Sequence, residues 1–155
     1  FNLNRENLII DNVGKGFERK LYATFMSFIN IDKFDYPLKE YKDKRGKFVE
    51  FLKNENSGQV AYFTAHPGIT RGGHYHNTKS EKFVVIDGKA RFKFKNLKNK
   101  QKIVIYADSE NPRVVDSIPG WVHDITNVGN SELKVILWSS EIFDRKNPDT
   151  YQKEV

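Results

Sequence analysis

The sequence predicts an all-β domain, a sandwich or barrel of short strands, behind a short helical lead-in. Residues 89–95 alternate Ala90, Phe92 and Phe94 against Arg91, Lys93 and Lys95. Successive side chains of a strand point to opposite faces, so this is the pattern of a half-buried strand. Further short apolar runs follow one another closely, separated by turn-forming clusters at residues 54–58, 86–89, 107–112 and 127–132. Aromatic residues make up 14% of the chain, twelve Phe and seven Tyr among them, a supply that suits a folded β-rich body and argues against disorder.

Taken in order, residues 17–29 place Phe17, Leu21, Phe25, Phe28 and Ile29 at helical spacing, which predicts an amphipathic helix. Pro37 breaks that pattern, and from about residue 40 the period becomes two. Strands are expected at 47–52, 58–65, 81–87, 89–95, 102–107, 113–118, 122–127 and 133–140, together with the segment that carries His74 and His76. Nothing repeats at a fixed period. The 155 residues suit a single β domain over 36–155, with 1–35 as junction and helical lead-in. The chain opens on Phe1 instead of Met, which raises the expectation that it is a piece of a longer protein.

Composition removes several function classes. With no cysteine there are neither disulfides nor thiolate metal sites, and a cytoplasmic location is the default expectation. No apolar run approaches the roughly 18–20 residues that span a bilayer, and the first twenty residues do not read as a signal peptide, so no membrane role is expected. The net charge of +6 is scattered through turns such as residues 95–100 and forms no stripe, so nucleic acid is not the expected partner. Such a surface still offers a favourable potential to a nucleotide diphosphate.

The chemistry concentrates in four residues. His74 and His76, two apart, point to the same face of a strand; Glu81 follows in or just before the next strand; His123 comes after the turn at Pro119-Gly120. Singly, each is as well explained as an ordinary core or surface residue. Together, three imidazoles and a carboxylate suffice to hold a divalent metal with positions left open for water or substrate.

Spacing gives the set its weight. Gly68, His74-x-His76, Glu81 and Gly88 resemble the first motif of the cupin family at every position, and Gly120, His123 and Asn127 resemble the second. Ile118 stands where that motif usually has proline, with Pro119 adjacent. The resemblance implies a cupin double-stranded β-helix, a jelly-roll barrel, with a short N-terminal helical segment. His74, His76, Glu81 and His123 would then converge on a metal inside the barrel. Zinc is the expected ion, and the same ligands permit manganese, iron or nickel.

Two further stretches narrow the reaction. Residues 43–52, Asp-Lys-Arg-Gly-Lys-Phe-Val-Glu-Phe-Leu, and residues 68–76, Gly-Ile-Thr-Arg-Gly-Gly-His-Tyr-His, resemble segments of nucleotide-sugar 3,5-epimerases. The resemblance implies that Arg45 and Arg71 grip the diphosphate, with Glu50 and Tyr75 as further substrate-binding residues. It gives His74 the role of general base and Lys82 that of enolate stabiliser. A nitrogen bound to metal cannot also take a proton, so ligand and base are competing roles for His74. Lys82 or metal-bound water then helps move the proton, with His66 as an alternative. No second acid is assigned.

Together with Asn-Pro-Asp-Thr-Tyr at 147–151, most of the chain resembles the C-terminal cupin domain of bifunctional capsular-polysaccharide UDP-sugar enzymes. That implies C3 epimerisation of a UDP-4-keto-6-deoxy-N-acetylhexosamine, an N-terminal reductase domain that uses NADPH, and a homodimer. A metal-dependent cupin oxygenase and a non-catalytic sugar-binding cupin are the alternatives.

Overall fold

A computed structural model of the chain describes residues 2–155. The alternation at 89–95 becomes a strand in which Ala90, Phe92 and Phe94 are at most 5% exposed. In chain order the strands are β1 (Glu40–Asp43), β2 (Gly46–Asn54), β3 (Gly58–Ala65), β4 (Thr70–Tyr75), β5 (Glu81–Asp87) and β6 (Lys89–Asn96). They continue with β7 (Lys102–Asp108), β8 (Val114–Ser117), β9 (Trp121–Asn127), β10 (Leu133–Ser139) and β11 (Tyr151–Gln152).

These strands form two antiparallel sheets, ordered β1-β2-β3-β10-β5-β8 and β11-β4-β9-β6-β7. Consecutive strands such as β4 and β5 lie in different sheets, which is the crossing pattern of the double-stranded β-helix expected from the sequence. The sheets enclose one apolar core in which Phe63, Phe83, Phe92, Leu133 and Val135 are almost wholly buried. At the β5–β6 turn Gly88 has φ +87°, and a Cβ there would sit 3.3 Å from the Leu133 Cα, so both backbone and space favour glycine. Strands β1 and β11, too short to show alternation, were not expected, nor were the helix α1 (Asn2–Asn7) and the 3₁₀ turn at Ile31–Lys33.

The expected helix is α2 (Gly16–Ser27), with Phe28 and Ile29 just past its end. Its apolar stripe stays largely open: Phe17 is 78% and Phe28 82% exposed, and no residue of α2 is buried. The lead-in is tied to the barrel instead by backbone hydrogen bonds of 2.8 Å between Lys53 on β2 and Leu8 and Ile10.

Candidate metal centre

Three strands and the residue just past β4 build the centre. His74 on β4 is the register partner of His123 on β9, after a β-bulge between Gly72 and His74. Gly72 (φ +89°) makes the bulge possible, because a Cβ there would meet the His123 carbonyl at 2.9 Å. The two imidazoles lie edge to face with centroids 4.6 Å apart. His76 sits one residue past the end of β4, so strand alternation alone does not place it. Its own carbonyl accepts the Gly120 amide at 3.0 Å, which ties it to the turn preceding β9. Glu81 opens β5 from the other sheet and sends one carboxylate oxygen between the two buried histidines, 3.1 Å from His76 Nε2 and 3.3 Å from His123 Nε2.

All four donor atoms lie within 4.8 Å of one another. Two ligands on one zinc are at most roughly 4.2 Å apart at ordinary bond lengths, so a small inward closure brings the set onto an ion. The hydrogen bonds around the ring nitrogens fit the same occupant. His76 Nδ1 faces the Asp149 carbonyl while Nε2 faces Glu81, two oxygen acceptors for a neutral imidazole that carries one N–H. A cation between Nε2 and the carboxylate resolves that mismatch and leaves Nδ1–H to the carbonyl. His123 is oriented likewise, Nδ1 lying 2.9 Å from Ser117 Oγ.

Electrostatics shift two members of the quartet, His74 and Glu81. Burial, then the neighbouring charges of His123 and His76, push His74 down to about 3 from its ordinary 6.5. Burial works to raise Glu81, but hydrogen bonds from His123 and His76 outweigh it and hold the carboxyl well below the usual carboxylate range. A neutral His74 beside an ionised Glu81 is the form that binds a divalent cation.

The quartet opens into a cavity of about 440 Å³, walled by Phe48, Phe63, Phe83, Ile125, Leu137 and Phe143. Arg45 and Arg71 both line it. Arg45 is fixed by Asp43 through a 2.6 Å ion pair, and its hydrogen bonds hold that carboxyl down to about 2. Arg71 donates from Nε to the Thr64 carbonyl at 2.8 Å and stacks over Phe63. Burial, followed by the Arg45 charge, lowers its pKa from the usual value. Glu50 also lines the cavity and pairs with Lys53 at 3.0 Å.

Three expected site residues lie elsewhere. Lys82 is turned outward, its ammonium 2.5 Å from Asp116 and half exposed. Tyr75 stacks on Tyr151 and is not among the lining residues. His66 is exposed beside Glu132, 3.5 Å away, and does not reach the cavity. The ammonium inside belongs to Lys79, 5% exposed, its Nζ 3.2 Å from Thr150 Oγ1 and above the Phe143 ring. Nothing local in the sequence marks Lys79. The partners Ser117 and Asp149 were missed as well, although Asp149 falls in the Asn-Pro-Asp-Thr-Tyr stretch quoted above.

Comparison with known proteins gives the family and agrees with the fold. Residues 41–151 match the polysaccharide biosynthesis C-terminal domain. The UDP-2-acetamido-2,6-beta-L-arabino-hexul-4-ose reductase of Pseudomonas aeruginosa is 51% identical over 151 residues, 97% of this chain and 41% of the relative. The spore coat polysaccharide biosynthesis protein SpsL of Bacillus subtilis is 24% identical over 72% of this chain and 81% of its own length. The crystal structure of the capsular polysaccharide assembling protein CapF of Staphylococcus aureus superposes with a TM-score of 0.93 at 38% identity, covering 99% of this chain and 42% of that one. The chain thus spans less than half the length of the reductase and of CapF. With its cupin barrel, it belongs to the polysaccharide biosynthesis C-terminal domain family.

Proposed function

We propose that this domain epimerises C3 of a UDP-4-keto-6-deoxy-N-acetylhexosamine, a step in making capsular or surface polysaccharide precursors. The observation that carries the reading is the quartet of His74, His76, Glu81 and His123 at one end of a cavity that also holds two guanidiniums and a buried ammonium. The name of the Pseudomonas relative, which specifies a UDP-linked sugar with a keto group at C4, supports the substrate class.

The ketone at C4 acidifies the C3 hydrogen, and its removal places negative charge on the ketone oxygen. A divalent cation, zinc by expectation, held by the four side chains polarises that oxygen as a Lewis acid when bound. Arg45 and Arg71 suit the diphosphate, because a guanidinium fork matches two phosphate oxygens where an ammonium offers a point charge. Phe48 and Phe63 give the cavity apolar walls, which would keep water from a sugar ring bound against them.

With His74 committed to the quartet, the carboxylate and the amine that line the cavity outside it are Glu50 and Lys79. Inversion needs one proton removed and one delivered to the opposite face, and these two groups supply the pair. Lys79 replaces Lys82 in this reading, since it is the ammonium that lines the cavity.

Residues 1–35 serve as the junction to an N-terminal, NADPH-dependent reductase domain. The exposed stripe of α2 and the greater length of the relatives support that division. A homodimer belongs to the same reading, and sedimentation giving only monomer would remove it.

The test is incubation with the UDP-4-ketosugar in deuterated water. Deuterium at C3 is the expected result. Exchange at C5 alone would refute the assignment, and oxygen uptake without exchange would point to an oxygenase.

A further inference from the structure

We propose that the C-terminal strap Asp149–Gln152 is a positioning element of the metal centre, its docking thermodynamically coupled to metal binding, so that the ion completes the wall of the substrate cavity. The inference rests on the metal reading above and requires nothing of the C3 assignment.

Each strap residue fixes a different part of the ligand loop. The Asp149 carbonyl accepts from His76 Nδ1, which turns Nε2 toward the other donors. The Asp149 carboxylate accepts the amides of Asn77, Thr78 and Lys79 at 2.8, 2.8 and 2.9 Å, and the Thr78 hydroxyl at 2.9 Å. Thr150 holds the Lys79 ammonium. Tyr151 stacks on Tyr75 at 5.2 Å between centroids, while Gln152 is the register partner of His74. Beyond them, the Lys153 amide donates to the Gly73 carbonyl at 2.9 Å.

The strap has little else to hold it. Strand β11 is two residues long and pairs on one side only, and Tyr151 is 44% exposed. Its docking therefore depends on contacts with residues 73–79, the segment that carries two of the four ligands. When the strap leaves, His76 Nδ1 loses its acceptor and the turn at 77–79 loses its cap, so both ring and loop gain freedom that metal binding must remove. An undocked strap therefore weakens metal affinity. By linkage, metal must favour the docked strap by the same factor. Thr150 and Gln152 also line the cavity, so the wall facing the sugar follows the ion.

Zinc alone is the probe, titrated into metal-stripped protein against a chelating dye. Asp149→Ala keeps the backbone carbonyl but removes the carboxylate that docks the strap, so the His76 acceptor is lost through undocking. Zinc binding is expected to weaken by about 10–100-fold, the range for losing a hydrogen-bond partner of a metal ligand. Asp149→Asn, which keeps an acceptor oxygen, should recover part of that loss. The control is Asp108→Ala, which removes a similar carboxylate cap from the amides of Glu110 and Asn111 in the β7–β8 turn, and should leave zinc affinity unchanged. In wild-type protein, saturating zinc should slow hydrogen exchange at the Lys153 amide.

Zinc affinity within twofold of wild type in Asp149→Ala, or strap exchange indifferent to zinc, would overturn the coupling. Should Asp149→Ala fail to fold, Tyr151→Ala decides by the same titration. A wild-type chain that binds no zinc overturns this proposal and the metal reading together. Zinc binding without deuterium exchange at C3 removes the epimerase assignment while the titration still decides the strap.

Discussion

The metal-free protein should lose stability on mild acidification, and His74 should be the cause. Its pKa lies at about 3 in the folded chain against 6.5 when free, because protonation would bury a charge beside two other imidazoles. Between those values the unfolded chain binds a proton that the folded chain does not, so stability falls as pH falls. From pH 8 to pH 5 the loss is about 2 kcal/mol, and by pH 3.5 about 4 kcal/mol, for a group moved between these two pKa values. Glu81 has the opposite charge type but the same direction of effect. Its depressed pKa contributes stability present above the ordinary 4.5 and lost as pH falls below it, so the interval from pH 6.5 to 5 separates His74 from Glu81. The assay is urea denaturation of stripped protein at pH 8, 6.5 and 5, followed by the fluorescence of Trp121 and Trp138. His74→Leu removes the titration and should flatten the dependence. An unchanged wild-type free energy between pH 8 and 5, or the same loss in His74→Leu, would refute the argument.

Replacing His123 by Ala, or Glu81 by Gln, should weaken metal affinity by more than the roughly 10–100-fold expected for a hydrogen-bond partner of a ligand, and so lower metal content in protein purified without added metal; unchanged occupancy by elemental analysis would remove the residue from the ligand set. Arg71→Ala should raise KM for the UDP-sugar by roughly 10–100-fold, the range for hydrogen bonds to a charged group, and Arg71→Lys should not restore it; an unaltered KM would place the diphosphate elsewhere. Glu50→Gln and Lys79→Met should each slow deuterium entry at C3 by about 100-fold or more, while Lys82→Met stays within twofold of wild type. Full exchange in Glu50→Gln or Lys79→Met would strike that residue from the proton-carrying pair.

The strands were legible because alternation is a local property: Phe92 and Phe94 announce a buried face without reference to any other part of the chain. The gathering of His74, His76, Glu81 and His123 was legible through spacing, since the two motifs fall on or beside β4, β5 and β9, whose register then does the rest. Lys82 shows a constraint that local reasoning could have applied. Glu81 and Lys82 are neighbours in β5, so if one side chain enters the barrel the other must leave it. The same alternation separates Tyr75 from His74 on β4. Lys79 and Asp149 were not legible, because their positions come from a contact across about seventy residues between a loop and a terminal strap. Helix α2 marks another boundary. Its periodicity predicts an apolar face, but periodicity carries no information about what covers that face.

The geometry bears directly on the two roles that the resemblance offered His74. A general base working near neutral pH needs a pKa close to that pH, so that it is unprotonated yet binds the proton firmly. His74, at about 3, is always free to accept but binds a proton too weakly to drive removal of a carbon acid's hydrogen. Adding the cation does not relieve this, because the ring nitrogen that would take the proton then belongs to the ion. Removing the cation does not relieve it either, since the depression arises from burial and from His123 and His76 themselves. Both states lead to one conclusion: the clustering that makes His74 a good ligand makes it a poor base. On the proposed epimerase reading, the proton at C3 would then pass to side chains that line the cavity outside the quartet, which directs the mutational test to Glu50 and Lys79.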